Sequence, residues 1–121
     1  MMRAILLVDH GSRVASANEA LDTLAEQVRN RLPDRVVRIA HLELARPDVD
    51  EGIDACVAAG ATEIVVHPYF LGPGRHTSHV IPRLVEAAAA RHPGVRVRLT
   101  PALGPHEKLV DVIIERVAGV S

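Results

Sequence analysis

The sequence predicts an α/β fold with a four-stranded parallel sheet and helices on both faces. Three observations lead there. Four short apolar runs alternate with four amphipathic stretches along 121 residues. The apolar runs are continuous in Val, Ile and Leu, the pattern of strands buried on both sides. Strict alternation of strand and helix then favours parallel pairing through crossover helices.

Each element has its own local signal. Arg3–Val8 (RAILLV) reads as the first strand. Ser16–Leu32 follows as a helix, with Leu21, Leu24, Val28 and Leu32 at helical spacing and Pro33 marking its end. Val36–Leu42 is the second strand. Pro47–Ala59 is the second helix, with Pro47 suited to a first turn and Gly60 to a stop. Glu63–His67 (EIVVH) is the third strand. Ser78–Arg91 is the third helix, which requires Pro82 in its first turn. Val95–Leu99 is the fourth strand. His106–Val117 closes the chain as a helix with Leu109, Val112, Ile113 and Val117 on one face.

Length and composition narrow the function classes. A chain of 121 residues is expected to form one domain, residues 1–121, and to bury roughly two-thirds of its unfolded surface. Hydrophobic residues make up 48%, too many for disorder. A net charge of −1 gives no bulk attraction to nucleic acid or membrane, and 2% aromatics offers little base-stacking surface. Cys56 is the only cysteine, so no intramolecular disulfide, Cys-rich zinc site or Cys-ligated iron–sulfur cluster can be assembled. It is expected to pack in a core. The start lacks a signal-peptide pattern, and no apolar stretch approaches the ~20 residues of a membrane span. These features fit a cytoplasmic protein. Seven histidines against two aromatic residues hint at metal or proton chemistry.

An open parallel sheet binds its ligands beyond the carboxyl ends of its strands. The polar residues there are Asp9-His10-Gly11-Ser12-Arg13, then Glu43, then Tyr69 through His76, then Leu103-Gly104-Pro105-His106. Three edges carry a His and the fourth a Glu. Imidazoles with a carboxylate suit Fe²⁺, Co²⁺, Ni²⁺ or Zn²⁺ and serve Mg²⁺ or Ca²⁺ poorly. The same groups accept protons near neutral pH. Blander roles exist: His10 beside a helix cap, Glu43 as a helix N-terminal charge, His76 as a helix entry residue. His67 is expected to be a satisfied core histidine, and His79, His92 and His106 surface residues. His41 should point opposite to Leu42 by strand alternation and receives no role. The FLGPGRH segment lacks a nucleotide-loop pattern, although its glycines could bring backbone N–H groups close to an anion. Asp9, where a histidine phosphatase has Arg directly before its nucleophilic His, disfavours phosphate at His10.

Together these segments resemble a known family. Val8-Asp9-His10-Gly11-Ser12-Arg13, His41-Leu42-Glu43-Leu44-Ala45-Arg46-Pro47, Pro68-Tyr69-Phe70-Leu71-Gly72-Pro73-Gly74-Arg75-His76 and Ile81-Pro82 are similar to the small sirohydrochlorin chelatases. These comprise short cobaltochelatases and siroheme ferrochelatases. The segment Ala102 to His106 looks closer to the ferrochelatase branch. The resemblance implies a chelatase-like half-domain of flavodoxin-like type. It implies ATP-independent insertion of Fe²⁺ or Co²⁺, with Ni²⁺ as a further option, into sirohydrochlorin, in siroheme or cobalamin biosynthesis. It assigns metal handling and catalysis to His10, His76 and Glu43. Ser12, Arg13 and Arg75 become candidates for contacts to the tetrapyrrole carboxylates. No organic cofactor or iron–sulfur cluster is implied, and plant relatives' C-terminal cysteine pair is missing. A homodimer with substrate between subunits is expected, because larger relatives carry two such halves. One departure stands out: Val80 occupies a position that is acidic in many relatives. It leaves a non-catalytic metal- or tetrapyrrole-binding protein as the alternative.

Overall fold

The computed structural model describes residues 2–74 and 79–120. Strands β1 (Met2–Asp9), β2 (Val36–His41), β3 (Ala61–Pro68) and β4 (Arg96–Leu99) form one parallel sheet in the order β2-β1-β3-β4. Helices α1 (Ala15–Arg31), α2 (Val49–Ala58), α3 (Ile81–Arg91) and α4 (Glu107–Ala118) follow the strands in turn. The expected α/β architecture is present. Right-handed crossovers place α1 on one face and α2 and α3 on the other, because the chain moves outward from β1 in opposite directions.

Packing divides at the sheet. On one face Leu7, Leu21, Ala25 and Val37 are buried together, with Ile5, Leu24, Val28 and Ile39 packed around them. On the other, Leu6, Val8, Ile53, Cys56, Ile64, Val66, Ile81 and Val85 form the larger core. Burying each such Leu, Ile or Val contributes about 1.5–3 kcal/mol. Cys56 lies in this core, and burial pushes its thiol up to about 11, consistent with a packing role. Helix α2 lies very close to the sheet at Gly52. A Cβ there would meet Leu6 Cδ1 and Ala40 Cβ, each at 2.9 Å.

The start of α2 differs from the sequence expectation by two residues. Pro47 stays outside α2 because Asp48 caps that helix: its side chain accepts from Glu51 N–H at 2.8 Å, and the Glu51 carboxylate accepts from Asp48 N–H at 3.0 Å. The Pro47 carbonyl instead accepts from His41 N–H at 2.8 Å, tying the loop back to β2. Helix α3 runs from Ile81 with Pro82 in its first turn, as anticipated, whereas the expected start at Ser78 lies outside the described residues. At α4, His106 is the N-cap, and its ring nitrogen accepts from Lys108 N–H at 3.0 Å.

Candidate active site

The carboxyl edge is held together by backbone hydrogen bonds that continue past the strands. Leu42 N–H donates to Asp9 O at 2.9 Å and Glu43 N–H to His10 O at 3.1 Å, so the loops after β1 and β2 remain zipped. Tyr69 N–H reaches Val8 O at 2.7 Å, and Leu103 N–H reaches Pro68 O at 3.2 Å. All four strand ends are thus joined into one rim. Gly11 is the point of closest approach. It adopts φ +94, and a Cβ there would lie 1.8 Å from the Glu43 carbonyl oxygen. No other residue type fits that contact without moving the loop. Leu44, immediately after Glu43, also has positive φ, at 69. That conformation costs a non-glycine residue roughly 1–2 kcal/mol, so the surrounding rim must enforce it.

This backbone brings His10 and Glu43 together. The His10 Nε2 lies 2.6 Å from Glu43 Oε1, with side chains 47% and 53% exposed. The pair is therefore hydrogen-bonded and open to solvent. Its two groups address one another through lone pairs that a proton or a cation can bridge. The apolar side chains of Val14, Leu44 and Leu71 are exposed on the loops of the same edge. Ser12 is engaged locally: its hydroxyl accepts from Val14 N–H at 3.0 Å, and its backbone N–H and C=O both bond the Asn18 amide. Arg13 is exposed on the same loop. His76 and Arg75 lie outside the described residues. Among the described residues, no group of three or more His, Cys, Asp or Glu side chains is gathered to hold a metal ion.

Behind the open pair lies a second one that sequence reasoning passed over. His41, 2% exposed, places Nδ1 2.5 Å from Asp9 Oδ1. The two residues are register partners at the ends of β2 and β1. The signal available in the sequence was an acid just past the first apolar run and an imidazole next to the end of the second. It becomes a contact only when β1 and β2 are neighbours in that register. Of the other histidines, those among the described residues behave as anticipated. His67 is half-buried and donates through Nδ1 to Thr100 Oγ1 at 2.7 Å, while Thr100 donates to Pro101 O at 2.8 Å. Burial holds its imidazole below the usual value. His79 and His106 are exposed, and His92 pairs with Asp54 at 2.8 Å at the foot of α2 and α3.

A family model described as CbiX matches residues 4–120. The chain belongs to the CbiX family. Among CbiX relatives, it is 39% identical to the chloroplastic sirohydrochlorin ferrochelatase of Arabidopsis thaliana over 113 residues, covering 93% of this chain and 50% of that one. It is 30% identical over 142 aligned positions to the sirohydrochlorin cobaltochelatase of Methanocaldococcus jannaschii, covering 98% of this chain and 99% of that one. Its fold matches the crystal structure of the sirohydrochlorin chelatase SirB from Bacillus subtilis subspecies spizizenii in complex with cobalt. The TM-score is 0.92 at 35% identity, covering 99% of this chain and 51% of SirB. This CbiX chain therefore spans about half the length of its plant and Bacillus relatives. No helix among the described residues is long and apolar enough to cross a membrane.

Proposed function

We propose that this CbiX chain is a sirohydrochlorin chelatase that inserts Fe²⁺ or Co²⁺ without ATP or an organic cofactor, residues 1–121 forming one chelatase unit. The observation that carries the reading is the His10–Glu43 pair, 2.6 Å apart on an open rim. Insertion replaces two pyrrole N–H protons by one divalent ion, so two protons leave for each metal that enters. A half-exposed imidazole–carboxylate pair suits both events. It offers a borderline nitrogen and a hard oxygen to an ion that is shedding water, and the same lone pairs can take up the departing pyrrole protons. It holds an ion less firmly than a closed cage, which favours release into the macrocycle. His76 is the third member of this set on the family resemblance. Exposed Val14, Leu44 and Leu71 offer apolar contact to the tetrapyrrole plane, and Ser12, Arg13 and Arg75 offer partners to its carboxylates.

The working form proposed is a cytoplasmic homodimer with substrate between two rims. Helix α4 supports it: the helix buries no residue, and Val110, Ile113, Ile114 and Val117 stand on it 51%, 61%, 60% and 67% exposed.

The test is absorption spectroscopy on metal-free sirohydrochlorin mixed with Fe²⁺ or Co²⁺. The protein is expected to accelerate the spectral change over buffer. His10→Ala and Glu43→Gln are each expected to lower kcat by about 100-fold. A spectrum that shifts on protein addition without faster insertion supports a non-catalytic binding protein, the reading that Val80 favours. Full activity in both variants removes the site assignment.

A further inference from the structure

We propose that the buried Asp9–His41 pair is a positioning brace for the His10–Glu43 pair. The inference rests on the reading of His10 and Glu43 as the metal-handling groups. Two acid–imidazole pairs join the same two chain segments in opposite order. In the buried pair β1 supplies the acid and β2 the imidazole; on the rim, the loop after β1 supplies the imidazole and the loop after β2 the acid. Asp9 and His10 are adjacent, and only Leu42 separates His41 from Glu43.

The connection between the pairs has little slack. Leu42 N–H to Asp9 O and Glu43 N–H to His10 O cross the gap directly above the buried pair. Gly11 closes against both partners on the β2 side, its Cβ position lying 1.8 Å from Glu43 O and 3.2 Å from His41 Cβ. A change at His41 is therefore transmitted to the backbone that carries Glu43. The rim side chains are half exposed, and the distance across which they meet follows from a fixed point in the two backbones that carry them. The His41 imidazole, 2% exposed, is locked by the Asp9 carboxylate at 2.5 Å and supplies that fixed point.

The test uses the full chain and three variants. Asp9→Ala removes the acceptor, His41→Phe removes the donor while keeping a ring in the core, and Asp9→Asn keeps an oxygen for His41 Nδ1–H. Thermal melting reports the fold. Ring ¹⁵N NMR of His10 in the metal-free protein reports the His10–Glu43 bond. Visible absorption reports affinity for Co²⁺ alone. With melting still cooperative, the His10 ring signals of Asp9→Ala and His41→Phe are expected to move to those of Glu43→Gln. Co²⁺ affinity is expected to fall by about tenfold or more, and Asp9→Asn to recover most of that loss. Added to His10→Ala, Asp9→Ala is expected to cause no further loss of Co²⁺ affinity, because the group it positions is gone. Wild-type His10 signals in Asp9→Ala and His41→Phe, or a loss fully additive with His10→Ala, overturns the brace. If Asp9→Ala fails to fold, His41→Phe carries the same readings. A wild-type protein that does not bind Co²⁺ through His10 sinks the metal reading instead, and the ring ¹⁵N comparison still decides the brace.

Discussion

Individual side chains at the carboxyl edge divide into an exposed pair, His10 and Glu43, and a more buried one, Asp9 and His41. His10 and Glu43 were identifiable as residue types at strand ends, because a parallel sheet collects such residues on one rim. The Asp9–His41 contact was not identifiable, because it depends on register, and a shift of one residue would send His41 to the opposite face. His67 shows the opposite outcome. Its position at the end of an apolar strand suggested a satisfied core histidine, and the structure gives it Thr100. Its titration has a measurable consequence. Burial lowers its folded-state value below the ordinary 6.5, so the unfolded chain takes up a proton that the folded chain resists. The resulting stability is complete above 6.5 and is lost as pH falls from there towards the folded value. Urea unfolding between about pH 7.5 and 5.5 is expected to weaken less steeply in His67→Asn than in wild type. Equal slopes would contradict this assignment.

Among the elements, existence and type were clearer from the sequence than the ends. All eight expected elements occur, yet β1 and β3 run longer than their apolar runs and α2 begins later than Pro47 suggested. The reason is local hydrogen bonding that competes with proline's preference for a first turn. Asp48 and Glu51 complete a reciprocal cap, and Arg46 pairs with the Glu51 carboxylate. Arg46 and the Asp48 backbone together hold that carboxyl below the usual range. Asp48→Ala is expected to cost about 1 kcal/mol by thermal or urea unfolding, through the lost cap. A loss below a few tenths would show that the Arg46–Glu51 pair alone sustains the helix start. This end of α2 bears on the proposed brace, since the Pro47 carbonyl ahead of it accepts from the His41 backbone N–H.

For the whole molecule, the sheet is well enclosed by α1, α2 and α3, while α4 keeps its apolar stripe in contact with solvent. A stripe of Val and Ile on one helix side is a poor surface for an isolated particle and a good one for an interface. Ile113→Glu is therefore expected to shift sedimentation towards the monomer and to lower insertion activity with it. The fold measured by circular dichroism should be unchanged, because Ile113 supports no core. A variant that sediments as wild type would move the interface off α4.

The sequence by itself determined the strand–helix order, the parallel sheet and the rim on which the polar residues of the strand ends collect. These follow from hydrophobic periodicity and from the rule that alternating β and α elements wind one way. Only the tertiary structure decided which rim residues meet. His10 reaches Glu43 and Asp9 reaches His41 because β1 and β2 are neighbours in one register, and Gly11 admits the Glu43 carbonyl. Those contacts join residues more than thirty positions apart. No local pattern encodes such a distance, because it is set by the packing of the entire sheet.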